Sequence, residues 1–294
     1  MSKVQYGGQA VIEGVMIRGK DKAAIAVRKS TQEIVLKEIR LNPLSYKLPC
    51  LKWPFIRGIT ALFSSLVLGM KSLSYSASAV VEEEDEEITP LEMGLTMLIS
   101  FGLAILLFVA LPAGIVSLIQ PYIPHNIILN FFEGIIKITM FLAYVSLIAR
   151  LKDIKRVFKY HGAEHKVIFN YEAGLPLTVA NARKFSTLHP RCGTNFIFIV
   201  ILISIFFFSF MGRPPFLQRI LYHLLLLPVV AGTSYEVLKL AGRKRVNPLI
   251  KLVATPGLWL QKITTSEPDD SMLEIAIKAF TAVLPGDERG KDHV

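Results

Sequence analysis

Four apolar blocks constrain this chain more than any other feature. They run from about Leu91 to Leu118, Ile127 to Ile148, Phe196 to Met211 and Ile220 to Val237. A bilayer-spanning helix needs about 20 mostly apolar residues, so each block is a candidate span. The third, "FIFIVILISIFFFSFM", is short but carries no charge. Pro112 sits near the far end of the first block, where a kink is tolerable. Glu133 and Lys137 lie inside the second at i,i+4 spacing, which lets them pair on one helix face.

Basic residues then orient the spans. The loop between the first two blocks, "IQPYIPHN", has no Lys or Arg, whereas the stretch Arg150–Arg191 is rich in both. Positive residues stay on the cytoplasmic side. The expected product is a mainly α, polytopic helical membrane protein with about four transmembrane helices and both termini in the cytoplasm. This rule and attraction to anionic lipid heads account for the formal charge of +10, and no nucleic acid is expected as a partner. The start of the chain lacks the basic-then-apolar pattern of a secretory signal. Two cysteines, Cys50 and Cys192, suggest no disulfide framework.

Around these spans the chain divides into six segments. Residues 1–54 read as a small β-rich cytoplasmic unit, with the runs "AVIEGVMIRG", "AAIAVRKS" and "EIVLKEIRL" as strands. Residues 55–90 hold a helix over Phe55–Ala79 and the acidic run Glu82–Glu87. The helix reads as amphipathic and lying on the membrane, with a fifth span as the alternative. The run reads as a solvated linker. Residues 91–149 form a first transmembrane hairpin, 150–193 a cytoplasmic loop and 194–239 a second hairpin. In the tail, 240–294, one helix is interrupted at Pro256-Gly257, and a second is capped by Ser266.

The chemistry concentrates in the cytoplasmic loop. A helix over about 151–173 would place His161 and His165 one turn apart on one face, Glu164 beside them and Glu172 two turns beyond His165. His-x-x-Glu-His is the inverted zincin arrangement, in which two imidazoles hold Zn²⁺ and the glutamate is the base. "LHPRCGTNF" then places His189 and Cys192, two more zinc-type donors, in a rigid turn before the third span. The set predicts Zn²⁺, or another divalent metal, held by His161, His165, His189 and Cys192, with Glu164 catalytic. Glu236 and Tyr235 at the end of the fourth span, Glu13 and Arg18 near the N-terminus, and Arg191 are possible contributors. The bland alternative is a polar loop near lipid heads, with Cys192 a small buried residue and Arg191 an interfacial anchor. The glycines of "YGGQAVIEGVMIRG" fit no phosphate-loop pattern and read as tight turns.

Together "GGQAVIEGVMIRG", "YHGAEHKVIFNYE", "HPRCGTNF", "AGTSYE" and "TPGLWLQKIT" followed by "EPDDSMLEIA" resemble the bacterial membrane proteins grouped as domain of unknown function 1385 (DUF1385). The resemblance covers nearly the whole chain. It implies a predicted metal-dependent enzyme that uses His161, Glu164, His165, His189 and Cys192, and names no reaction. Two functions follow as expectations. One is a metal-dependent hydrolase at the cytoplasmic face of the cell membrane. The other is a non-enzymatic scaffold or accessory factor in the lipid bilayer that binds other membrane proteins. A transporter is a third, weaker reading.

Overall fold

The computed structural model describes residues 6–41, 49–81, 89–123, 125–210, 212, 215–241 and 247–285. The acidic run at 82–87 and the basic "GRKR" at 242–245 lie outside them. The chain begins with a four-stranded antiparallel meander, β1 (Gly7–Val11), β2 (Gly14–Arg18), β3 (Lys22–Arg28) and β4 (Ile34–Arg40), in the order β1-β2-β3-β4. The first apolar run is therefore a hairpin and not a single strand. Val11 pairs with Gly14 across a two-residue turn in which Glu13 adopts φ 52°. Such a tight turn requires left-handed backbone, so the break falls there despite continuous apolar character.

Helices make up most of the rest. They are α1 (Ile56–Val81), α2 (Pro90–Ile105), α3 (Leu111–Ile119), α4 (Asn126–Ile148), α5 (Lys152–Glu172), the short α6 (Val179–Ala182), α7 (Gly193–Ser209), α8 (Phe216–Ala241), α9 (Pro248–Thr264) and α10 (Asp270–Val283). A π-helical turn, Leu106–Ala110, joins α2 to α3 just before Pro112. Proline cannot donate back along the helix, and a widened turn absorbs the missing bond. Four helices are long and apolar enough to cross a membrane: α1, the joined α2–α3, α4 and α8. The 17-residue α7 is apolar but shorter.

The inner strands β2 and β3 are buried on both faces, which is why they read as unbroken apolar runs. Ala10, Val15, Ile17, Ala24 and Ala26 point to one side and pack on α5 and α10 through Tyr160, Val167, Met272, Ala276 and Phe280. Alanines there let helix and sheet approach closely. Val11, Met16, Ala23, Ile25 and Val27 point to the other side and meet Leu68, Leu73, Tyr75 and Ala79 of α1. Alternation along each strand assigns these two sets. The N-terminal sheet, the middle helix α5 and the C-terminal helix α10 thus share one core.

The α1 helix covers that sheet with its second half. Its first half reaches α8, where Gly58 lies against the Tyr235 side chain and Arg57 pairs with Glu236. The opposite face leaves Ile59, Leu62, Phe63 and Leu66 exposed, an i, i+3, i+4, i+7 stripe.

The tail departs from expectation at two points. The α9 helix runs through Pro256-Gly257 without interruption, because it packs along α7 and Gly257 sits directly over the Asn195 side chain. Asp269, and not Ser266, caps α10 by accepting from the Met272 N–H at 3.1 Å. Ser266 has another task. Its N–H donates to the Phe158 carbonyl at 3.0 Å, and its own carbonyl lies over Gly162. An extended segment therefore crosses α5 where the helix has no side chain.

That crossing explains a glycine in mid-helix, which otherwise costs about 1 kcal/mol relative to alanine. A Cβ on Gly162 would run into the Ser266 carbonyl, whereas one on Gly102 in α2 meets nothing within 4 Å. Gly162→Ala is expected to cost about 1–3 kcal/mol by overpacking, and Gly102→Ala to be neutral or slightly stabilising. Thermal unfolding of the detergent-purified variants measures both. Equal effects at the two positions would contradict the packing.

Candidate metal centre

The α5 helix is buried on nearly all sides from Tyr160 to Asn170, between the sheet and α10 on one flank and the 175–192 loop on another. His161 and His165 stand one turn apart on it, with ring centroids at 4.4 Å. Neither ring is free to rotate. His161 Nδ1 lies 2.8 Å from the Thr264 carbonyl, and His165 Nδ1 is bonded to the Thr187 carbonyl. A carbonyl only accepts, so both Nδ1 atoms carry a proton, and Nε2 is the atom that each ring leaves for a ligand bond.

Thr264 ends α9, where the last carbonyls lack partners within the helix, so His161 also caps that helix. Lys166, 3% exposed, fixes the other anchor. Its ammonium donates to the Arg183 and Phe185 carbonyls at 3.0 and 2.7 Å and pairs with Glu267 at 2.9 Å. That holds the loop carrying Thr187.

Cys192 completes the cluster. It is the N-cap of α7, and its Sγ lies 3.1 Å from His161 Nε2. Ligand atoms of His161, His165 and Cys192 all lie within 4.8 Å of one another. The sulfur sits at the positive end of the α7 dipole, where a negatively charged ligand is favoured. Two imidazoles with fixed tautomers and one thiol are a donor set suited to zinc. Hydrogen bonds from the remote ring nitrogens are the usual means of orienting histidine ligands.

His189 lies beside this group. Its ring centroid is 5.5 Å from that of His165, and its Nε2 is 3.9 Å from a Glu172 oxygen. Reciprocal bonds to Gln261, N–H to Oε1 at 2.7 Å and Nε2 to the carbonyl at 2.8 Å, hold its backbone. Burial lowers the His189 pKa. Burial alone would raise that of Glu172, but its contacts to His189 and Arg191 outweigh it and hold the carboxyl low.

Glu164 points toward the sheet and accepts from the Gly8 N–H. A Cβ on Gly8 would come within 3.0 Å of the Glu164 side chain and closer still to the Met16 carbonyl, so this glycine lets the carboxylate reach the strand. Burial raises the Glu164 pKa to about 7.

The remaining candidates are engaged elsewhere. Glu13 pairs with Arg156 and accepts from the Tyr160 hydroxyl at 3.2 Å, which ties the β1–β2 turn to α5. Arg18 donates to Ser64 and Ser65 of α1 at 3.3 and 3.1 Å. Arg191 pairs with Glu172, Glu236 with Arg57, and Tyr235 packs on Gly58. Thr187, Thr264, Gln261 and Lys166 were not visible in the sequence pattern. Their contribution is long-range and, for the two threonines, made through backbone carbonyls that any residue type could supply.

The family model for proteins of unknown function DUF1385 matches residues 53–286. The chain belongs to the DUF1385 family. It is 37% identical over 295 residues to Uncharacterized protein YqhQ of Bacillus subtilis (strain 168), covering 95% of this chain and 92% of that one. No solved structure matches it.

The raised Glu164 pKa has a measurable consequence. Between about pH 4.5 and about pH 7 the folded chain keeps a proton that the unfolded chain has lost. Stability therefore falls as pH rises across that window. In metal-free protein Glu164→Gln is expected to flatten this fall, by as much as about 3 kcal/mol at the upper end. Unfolding temperatures across the window, wild type against variant, measure it. Parallel pH slopes would show that Glu164 does not hold the proton.

Proposed function

We propose that the protein is a four-span protein of the bacterial cytoplasmic membrane with a divalent-metal site, zinc by preference, on its cytoplasmic face. His161, His165 and Cys192 are the ligands. The observation that carries this reading is the fixing of both Nδ1 atoms on backbone carbonyls, with His161 Nε2 close to Cys192 Sγ. Imidazoles that were merely polar surface groups would have no reason to be held this way from three directions.

Chain parity supports four crossings. The sheet precedes α2–α3 and α4, α5 follows them, and sheet and α5 share a core. An even number of crossings must separate them, and α2–α3 with α4 supply two. α1 therefore lies along the membrane surface, its exposed Ile59, Leu62, Phe63 and Leu66 toward lipid and its other face on the sheet. By the same rule α7 and α8 cross between α5 and α10, and α9 does not. The basic residues of the 150–191 stretch support a cytoplasmic side for that common core, and with it for both ends of the chain.

Three protein ligands leave a fourth position, the mark of catalytic zinc, and hydrolysis is the reaction class such an ion supplies. In that case Glu164, on the same turn of α5 and beside His161, would serve as the base by turning from Gly8 toward the ion, and Thr187, Thr264 and Lys166 would keep the ligands in place. A structural role is the second reading, and burial favours it. His165 is 1% and Cys192 8% exposed, and the ligands come from the soluble layer and from the bundle. There the metal would clamp α5 to α7, as a scaffold for other membrane proteins would need.

Detergent-purified protein is expected to carry about one zinc per chain. His161→Ala, His165→Ala or Cys192→Ser removes it, whereas His189→Ala keeps it. No stoichiometric metal in the wild type, or metal retained in both His161→Ala and Cys192→Ser, would overturn the proposal. A large drop in unfolding temperature on chelation favours the clamp.

A further inference from the structure

A long groove opens along the apolar helices and shares no residue with the metal centre. Its volume is about 1080 Å³. It follows α2, the π-helical turn and α3 from Ser100 to Leu118, with Tyr144 of α4 and Phe216 of α8 on its other side. Eighteen residues separate its ends, about 27 Å of helix, close to the roughly 30 Å of a bilayer's hydrocarbon core. Ala104, Ala110 and Gly114 keep its floor low. A Cβ on Gly114 would meet nothing nearer than Phe216 Cε2 at 3.9 Å, so the space is not taken up by a neighbouring helix. The widened turn Leu106–Ala110 forms the middle of the groove, and such turns are frequent at functional sites.

The dimensions select the occupant. A volume of 1080 Å³ over that length leaves a mean section of about 40 Å². A helix with its side chains is about 10–12 Å across and needs about twice that section. Extended hydrocarbon chains, whose carbons pack about 3.5–4.0 Å from their neighbours, fit it. Polarity is confined to one half. The Ser117 hydroxyl donates to the Gly114 carbonyl of its own helix at 2.6 Å, which leaves the hydroxyls of Ser100 and Tyr144. α2–α3 and α4 form a hairpin, and the Phe108 ring meets those of Phe141 and Tyr144 at 6.0 and 5.7 Å. Ser100, eight residues before Phe108, therefore lies near the level of Arg150, six residues after Tyr144. Arg150 and Lys152 are both exposed there. An apolar shaft with cations at one end is complementary to an anionic amphiphile.

We propose that this groove binds a phospholipid, with its acyl chains along Ala104, Ala110 and Gly114 and its phosphate at Arg150 and Lys152. The site is independent of the metal, but it rests on the placement of α2–α3 and α4 as spans. The Ser100 and Tyr144 hydroxyls then lie where the lipid passes from headgroup to hydrocarbon, the depth at which tyrosines gather. Most of α2 is exposed, so the lipid is what seats this helix against α4.

The test is photolabelling of the full chain in vesicles of phosphatidylethanolamine and phosphatidylglycerol, with a trace of phosphatidylglycerol that bears a diazirine on one acyl chain. Adducts mapped by mass spectrometry are expected to be several-fold denser on Ala104–Leu118 than at Leu225, an outward residue of α8 that is 63% exposed. In Ala104→Phe/Gly114→Phe, which fills the groove, the excess is expected to vanish while the unfolding temperature holds. Arg150→Gln/Lys152→Gln leaves the bundle packing intact, and is expected to reduce groove labelling at least about fivefold. Label spread in proportion to exposure, or an excess that survives in the folded, filled variant, overturns the proposal and leaves only bulk lipid around the bundle. A groove that stays unlabelled while α4 and α8 are labelled also overturns it, since another protein segment then fills the space. Label absent from every apolar helix would instead overturn the span placement, and the groove with it.

Discussion

The rest of the structure depends on one shared core. The sheet built by the first forty residues is closed by α5 from the middle of the chain and α10 from its end, through contacts among Tyr6, Tyr171 and Phe280. Each time the chain leaves this core it must come back to the same side. That requirement sets the parity of the apolar helices. It is also the ground on which the proposed topology keeps α1 at the surface, although α1 is by length and composition a candidate span like α4. One face of α1 lies on the sheet and the other carries the apolar stripe, the arrangement that an interfacial helix would use.

The geometry of the His161, His165 and Cys192 cluster follows from the same return. α5 carries two histidines into the layer, α9 brings back the Thr264 carbonyl and α7 starts with Cys192. No local stretch contains all the parts. The carbonyl anchors remove ring freedom, which is the form of preorganisation that the proposed metal binding would use. The extended segment at Ser266 brings a carbonyl over Gly162 beside His161, so helix packing and ligand placement depend on one another.

The features that were readable from the sequence are those with a local period. Four apolar blocks, the amphipathic Phe55–Ala79 helix and the helix bearing His161 and His165 all appear within a residue or a few of their predicted bounds. The one-turn spacing of the two histidines was readable for the same reason. Long-range details were not. The β1–β2 break depends on a left-handed backbone at Glu13, and α9 continues through Pro256 because α7 supports it. Glu13, Arg18 and Glu236 looked like spare polar groups of a shared site, yet they pair with Arg156, Ser64 and Ser65, and Arg57. Glu133 and Lys137 announced an ion pair by i,i+4 spacing, but Arg219 and His223, some eighty residues on, were invisible to any local pattern. The Thr89-x-x-Glu92 capping box that opens α2 is a local signal of the same legible kind.

The central claim, a metal held by two anchored imidazoles and one thiolate, is tested most directly by X-ray absorption at the zinc edge of the purified protein. The account predicts one sulfur at about 2.3 Å and two imidazole nitrogens at about 2.0–2.1 Å, with one further light atom. It also predicts that the sulfur contribution vanishes in Cys192→Ser. A shell of oxygen and nitrogen alone in the wild type, or an unchanged sulfur signal in that variant, would contradict it.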